Sequence, residues 1–228
     1  MMKEVALVRK HPCFAALTNE EYQKIQDHMY KRTYKKGQVL FDPGDERNRI
    51  FFLNKGLVKF EKSDQSDTFS YLDFVRENTL FPYVGLFKDD TYYFSAIAMT
   101  DIDVCCIPVN IFEETICQNS EQLIFYVQIL SKLVKHHELK IQGCISFHAF
   151  QRVKHTLGIL MNDLGEKNYQ GNLFIPYPIQ MNDIARSSGT TRETASLAIK
   201  KMVKEKKIQY IHKELIFYDV AYFLAFLE

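Results

Sequence analysis

The chain has 228 residues, of which 46% are hydrophobic, and a formal net charge of +1. That length suits one large or two ordinary domains with a proper buried core. The densest apolar run, residues 123–130, is interrupted by Gln122 and Gln128 and ended by Ser131-Lys132, which excludes a membrane span there. Glu4 and His11-Pro12 interrupt the N-terminal apolar stretch, so no signal peptide is expected and the expected compartment is the cytoplasm. The charge is unevenly spread. Residues 1–145 hold 18 Lys+Arg against 20 Asp+Glu, whereas residues 146–228 hold 11 against 8. The C-terminal part is therefore the basic one, as nucleic-acid contact would favour.

Residues 1–30 have helical character, with Thr18-Asn19-Glu20-Glu21 as a helix start. From about 31 to 108 the pattern changes to short β runs separated by turn residues. Gln38–Phe41 precedes Asp42-Pro43-Gly44-Asp45, and Arg49–Leu53 precedes Asn54-Lys55-Gly56. Further runs are Leu57–Glu61, Thr68–Val75, Tyr92–Met99 and Val104–Pro108. Strands of this length and spacing predict an antiparallel sandwich or barrel. Cys105 and Cys106 are adjacent, so in a strand they point to opposite faces and cannot easily grip one metal ion. The five cysteines, with no CxxC pair, argue against a disulfide scaffold or a zinc site, and buried free thiols are expected. No Ser-His-Asp, HExxH, GxSxG or P-loop pattern supports catalysis.

After Pro108 the pattern is helical again. Near Ser120 a long helix begins in which Leu123, Val127, Leu130, Val134, His137, Ile141 and Cys144 recur at alternating steps of four and three. That is a heptad seam suited to pairing two chains. A helix burying one face in its own domain shows a similar stripe.

Residues 180–202 carry the clearest functional signal. Two short amphipathic helices meet at Gly189, with small Ala185 at their crossing. Ile184, Ala185, Ala195, Ala198, Ile199 and Met202 are expected inside, and Arg192, Glu193, Ser196 and Lys200 outside. This is the layout of a helix-turn-helix whose second helix enters the major groove by its N-terminal end. Thr190, Thr191, Arg192, Glu193, Thr194, Ser196, Lys200 and Lys201 are the candidate DNA-binding residues. A guanidinium donates two hydrogen bonds to guanine, a carboxylate accepts from cytosine N4, and the threonine hydroxyls suit phosphates. Lys200, Lys201, Lys204, Lys206 and Lys207 cluster on and beyond this helix, as a dipole-matched helix end or as phosphate contacts. Ile208–Ile211 and Glu214–Tyr218, on either side of His212-Lys213, have the form of a two-stranded wing.

The run Lys36-Gly37-Gln38-Val39-Leu40-Phe41-Asp42-Pro43-Gly44-Asp45, then Ile50–Lys59, resembles the opening of a cyclic-nucleotide-binding β-roll. Gly37, Gly44 and Gly56 stand where tight turns need φ values that side chains resist. A roll, a pairing helix and a winged helix-turn-helix in this order resemble the Crp/Fnr family of transcription regulators over essentially the whole chain. The resemblance implies an α+β fold. An N-terminal antiparallel, jelly-roll-like β-roll would occupy residues 1–119, a dimerisation helix 120–145 and a winged helix-turn-helix 146–228. It implies a homodimer on a palindromic double-stranded DNA site, with RNA polymerase a further candidate partner and no membrane contact. Arg192 and Glu193 match the family's base-reading pair, while Leu197 stands where a further Arg would be.

The family's phosphate-binding cassette is not reproduced. Arg76–Phe87 and Tyr92-Tyr93-Phe94-Ser95-Ala96 lack the Gly-Glu and Arg-Ser/Thr pairs, so cyclic AMP is not the expected ligand, and iron–sulfur and haem signatures are missing. The aromatics Phe69, Tyr71, Phe74, Phe81, Tyr83, Phe87, Tyr92, Tyr93 and Phe94 would fill the roll or leave an effector pocket. Tyr71, Phe81, Tyr83, Tyr93 and Ser95 are the candidates for such a pocket. The Leu-Phe-Pro turn followed by Leu-Phe most resembles the arginine-deiminase-pathway (ArcR) branch, which implies control of arginine catabolism under low oxygen. Two alternatives stand beside the regulator: a sensor gated by the roll or by oxidation of Cys144, and an adaptor whose winged helix binds protein.

Overall fold

The structure, a computed structural model, describes residues 8–63, 70–146 and 148–225. These form two compact units: residues up to 62 together with 73–133, and residues 63–72 together with 134 onward.

The first unit is built on two antiparallel sheets. One has the order β1 (Tyr30–Tyr34), β8 (Ile102–Pro108), β3 (Arg49–Lys55) and β6 (Thr79–Phe81). The other runs β2 (Val39–Phe41), β7 (Ser95–Ala98), β4 (Leu57–Ser63) and β5 (Ser70–Arg76). Apart from β4 and β5, which follow one another in the chain, neighbours in each sheet are distant in sequence. Gly56 joins β3 to β4 with φ +94°, and a Cβ there would lie 2.6 Å from Thr100 Oγ1. β1 and β6 are additions to the expected strands, and β7 is shorter than the run Tyr92–Met99. Thr68 and Phe69 lie outside the described residues.

Strand alternation divides the side chains between two cores. Ile50, Phe52, Cys105 and Ile107 join Phe14, Tyr22, Ile25, Phe112, Ile116 and Tyr126 in a buried cluster. Phe51 projects to the opposite side, where it stacks on Phe41 at 5.7 Å and on Phe81 at 5.3 Å. Phe41 stacks on Tyr92 at 3.7 Å, and Phe60 on Phe94 at 4.3 Å. Six aromatic side chains thus occupy the interior of the roll. The Tyr92 hydroxyl donates to the Arg49 carbonyl at 2.8 Å, and burial pushes its pKa up to about 12. Cys105 and Cys106 do face opposite sides, and both are buried. Cys117 and Cys144 are exposed, against the expectation of buried thiols.

α1 (Asn19–His28) starts at a capping box, in which Thr18 Oγ1 accepts from Glu21 N–H and Glu21 Oε2 accepts from Thr18 N–H. α2 (Val109–Gln118) follows β8 directly, and α3 (Ser120–Ser146) runs through both units. Its first turns are tied to the N-terminal segment by buried polar groups. Gln122 Oε1 accepts from Ala16 N–H at 3.0 Å, and Tyr126 Oη–H donates to the Cys13 carbonyl at 2.7 Å. The glutamine that interrupts the apolar run is therefore a tie within the core.

The second unit contains α4 (Ala149–Leu164), β9 (Glu166–Lys167), β10 (Leu173–Ile175), α5 (Met181–Ser187), α6 (Arg192–Lys204), β11 (Ile208–Ile211), β12 (Glu214–Phe217) and α7 (Val220–Leu224). Its sheet has the order β11-β12-β10-β9, so the expected two-stranded wing is half of a four-stranded sheet. β9 and β10 are too short to leave a periodic signal. Leu157, Ile175, Ile184, Met202, Leu215, Phe217 and Phe223 are buried here. α3 enters this unit with Gly143 against His155 of α4, where a Cβ would fall 2.1 Å from the imidazole.

Candidate nucleic-acid interface

α5 and α6 pack across a tight turn. Ile184, Ala185, Ala195, Ala198, Ile199 and Met202 are all buried, so the inner face is the one the apolar spacing predicts. Ser188 ends α5 fully buried, its Oγ–H directed at the Ile184 carbonyl at 2.7 Å. Gly189 then turns the chain at φ +56°, a left-handed value that favours glycine. Arg152 of α4 clamps this turn from outside the motif. Its Nε donates to the Ser188 carbonyl and its Nη2 to the Gly189 carbonyl, both at 2.9 Å. Arg152 was not among the candidates, because nothing in its local sequence shows which carbonyls it meets.

Thr191 caps α6, accepting from Thr194 N–H at 3.2 Å. Its oxygen is also 3.0 Å from Thr194 Oγ1. Both hydroxyls thus support the helix start as well as standing near the surface. Arg192, Glu193, Leu197, Lys200 and Lys201 are exposed, and Thr190, Thr194 and Ser196 are half-buried. At about 100° per residue, Arg192, Ser196, Lys200, Glu193 and Leu197 span one outward arc opposite the buried residues. The lysines divide by environment. Lys201 lies 4.0 Å from Glu205 and 4.6 Å from the centre of the Phe150 ring. Lys207 turns back to Asp219 at 2.6 Å; that bond raises the Lys207 pKa and lowers that of Asp219. Lys207 therefore serves the fold of this unit.

The outward face of α6 is one wall of a concavity of about 870 Å³, lined by Gln180, Met181, Asn182, Arg192, Glu193, Ser196, Leu197, Lys200, Tyr210 and Lys213. The wing supplies the other wall. β11 and β12 are joined by His212 (φ +51°) and Lys213 (φ +71°), the two positive φ values of a type I′ hairpin turn, here without glycine. The turn is fastened to the segment before α5. Ile179 N–H donates to the Lys213 carbonyl at 2.9 Å, and Tyr210 Oη–H donates to the Ile179 carbonyl at 2.8 Å. Tyr210, Lys213 and Asn182 were not foreseen, because only the packing of the wing brings them beside α6.

The candidate effector residues stand in different surroundings. Phe81 is part of the aromatic fill. The Tyr83 hydroxyl lies 3.7 Å from Cys13 Sγ, in the cluster on the other side of the β3 sheet. Tyr93 is 56% exposed beneath Lys62. Ser95 Oγ–H donates to Asp42 Oδ1 at 2.6 Å, and the Tyr71 hydroxyl meets His137 Nε2 at 3.2 Å. Strand alternation and the turn at 84–88 send these neighbours in sequence to different surroundings.

The heptad residues also divide. Val127, Val134 and Ile141 are exposed, as is Cys144, but Leu123 packs against the roll's buried cluster and His137 meets Tyr71. Ile124 and Ile145, neither of them in the expected seam, are exposed beside the three. The exposed large apolar side chains of α3 are therefore Ile124, Val127, Val134, Ile141 and Ile145. Desolvation raises the Cys144 pKa, with Arg152 and Lys140 opposing; this disfavours the thiolate that oxidation requires.

Comparison with known proteins agrees with this geometry. The cyclic nucleotide-binding domain family matches residues 31–119. A global nitrogen regulator of Nostoc sp. is 28% identical over 187 residues, covering 81% of this chain and 82% of the relative. The HTH-type transcriptional regulator ArcR of Staphylococcus epidermidis is 30% identical over 187 residues, covering 80% and 79%. The structure of FixK2 from Bradyrhizobium japonicum superposes with a TM-score of 0.75 at 15% identity, over 87% of this chain and 96% of that one. No helix among the described residues is long and apolar enough to cross a membrane. A nucleotide-binding-type roll followed by a winged helix-turn-helix, with this level of identity to named regulators, establishes the family: the chain belongs to the Crp/Fnr family of transcription regulators.

Proposed function

We propose that this regulator acts as a homodimer that reads a palindromic DNA operator with α6. The observation that carries the proposal is the outward arc of α6. It combines Arg192, Glu193, Ser196 and Lys200 on a rigid helix whose inner face is buried and whose start is capped. The concavity between α6 and the wing leaves room for a duplex edge, with Lys213 on the wing side. The exposed stripe Ile124, Val127, Val134, Ile141 and Ile145 supplies the pairing surface. Pairing would set two reading heads about one helical turn of DNA apart, about 34–36 Å. The roll's aromatic fill supports a role for that domain other than ordinary cyclic AMP capture. Arginine catabolism is the proposed regulatory target, supported by the ArcR-named relative.

Random-sequence DNA selection with the full chain tests this reading. A palindromic consensus with half-sites one turn apart is expected. Arg192→Ala should leave the protein folded and remove about 1–3 kcal/mol of discrimination at one base pair per half-site. Selection of no sequence, or an unchanged preference in Arg192→Ala, would refute the assignment of α6. Val134→Glu should lower both dimer content in sedimentation and operator affinity.

A further inference from the structure

Leu197 is 66% exposed, an aliphatic side chain open to solvent on the outward face of α6. It lies one turn after Glu193 on the outward arc, and it shares the concavity with Arg192, Ser196, Lys200 and Tyr210. A mainly polar and charged lining thus holds one exposed aliphatic group, with Met181 as its other large apolar member. Such a surface complements a duplex edge, which is anionic at its phosphates and polar along its base pairs. In the major groove the thymine 5-methyl is the apolar group an aliphatic side chain can address. We propose that Leu197 is a specificity-determining residue that packs on a thymine methyl in each half-site, an inference that rests on the assignment of α6 as the reading helix.

The helix geometry locates this contact. Leu197 lies five residues beyond Arg192, about 7.5 Å along the axis. With α6 laid along the groove, that is about two base-pair steps at roughly 3.4 Å each. Their azimuths differ by about 140°, so the two residues stand at opposite edges of the arc and address different base pairs. Arg192 takes a hydrogen-bonding base edge; Leu197 takes a methyl. The half-site therefore needs a thymine about two steps from the Arg192 position, on whichever strand turns its methyl toward Leu197.

Deoxyuridine scanning of the selected operator tests the contact, because uracil removes only the 5-methyl and keeps base pairing. Fluorescence anisotropy would measure the full-length protein against duplexes with each thymine replaced in turn. One symmetric position should lose about fourfold in affinity per half-site, from one methyl-sized group returned to water. Replacing both copies should cost about fifteenfold on the same basis. Leu197→Ala should bind the deoxyuridine and thymine duplexes equally, and Leu197→Arg should shift the selected base at that position toward guanine. Uniform tolerance of deoxyuridine, or a loss that persists in Leu197→Ala, would overturn the thymine contact while leaving α6 as reader. If the wild-type protein selects no sequence, both the reader assignment and the contact fall.

Discussion

Gly143→Ala adds one methyl group where α3 meets His155 of α4. The added Cβ would lie 2.1 Å from both Cε1 and Nδ1 of His155 and 2.6 Å from Cγ. Comfortable carbon contacts lie near 3.5–4.0 Å, roughly, so the imidazole must retreat by more than an ångström. It is 3% exposed, and any retreat displaces packed neighbours. Overpacking of this kind costs about 1–3 kcal/mol, whereas replacing a helical glycine by alanine returns about 1 kcal/mol. The net effect is a loss of up to about 2 kcal/mol. In a His155→Ala background the clash is gone and only the propensity gain remains, so the same substitution should stabilise by up to about 1 kcal/mol. The sign therefore reverses, and the double-mutant cycle should show a coupling of about 1–3 kcal/mol. Urea denaturation of the four proteins at one protomer concentration measures it, through midpoints at unchanged m. Equal stabilisation by Gly143→Ala in both backgrounds would refute the close approach.

Burial lowers the His155 pKa from 6.5, so below that pH the unfolded chain binds more protons than the folded one. The stability that neutral His155 contributes is complete above about pH 6.5 and is lost as pH falls through its folded value. His155→Gln should flatten this decline in denaturation midpoints measured across the window, though not abolish it, because His11 is lowered by burial too. An unaltered slope would contradict the burial argument. Thr191→Ala should cost about 1 kcal/mol through loss of the α6 cap, and Thr191→Ser should retain most of it; equal losses would take the cap out of the account. Phe94→Ala removes a stacked ring from the roll interior and should cost about 3–5 kcal/mol in chemical denaturation. A loss under about 1 kcal/mol would mean that the interior is loosely filled. Lys200→Ala should weaken operator binding without changing base preference and reduce the salt slope by about one per protomer. A changed preference at constant slope would place Lys200 on a base edge instead of a phosphate.

The helix-turn-helix was legible because its constraints are local. Ala185 and Ala195 had to be small where two helices cross, and period 3.6 separates Ala198, Ile199 and Met202 from Arg192 and Lys200. The β-roll was legible as a set of strands, since Gly44 and Gly56 punctuate it and alternation tells one face from the other. What alternation cannot tell is which surroundings receive each face. Phe51 and Phe52 are adjacent and equally aromatic, yet one stacks in the roll interior and the other joins the cluster with Phe14 and Phe112. Phe81 and Tyr83 part for another reason, because β6 ends at Phe81 and the chain leaves the sheet there. For that reason a list of nearby aromatics could not resolve into a pocket. Arg152 and Lys213 were missed for a related cause: each meets the reading motif through backbone carbonyls that only the folded unit brings together.

The stripe on α3 shows where sequence spacing leaves two answers. Val127, Val134 and Ile141 recur every seven residues, and a second column at either 123, 130, 137 and 144 or 124, 131, 138 and 145 completes a step of three and four. The first column is the richer in apolar side chains, since the second includes Ser131 and Glu138. Composition therefore favours the first. The choice is made elsewhere, by Gln122 and Tyr126, whose hydrogen bonds to the N-terminal segment turn their face of the helix inward. Leu123 follows them into the roll's cluster, and Ile124, about 100° further round, is left at the surface. Two polar groups, one of which looked like an interruption, thus set the rotation of the helix. Breaking one should change which residues are exposed without unwinding it. In Gln122→Ala the accessibility of cysteine probes placed at positions 123 and 124 should become more equal. Unchanged labelling rates at both positions would show that apolar packing alone orients α3.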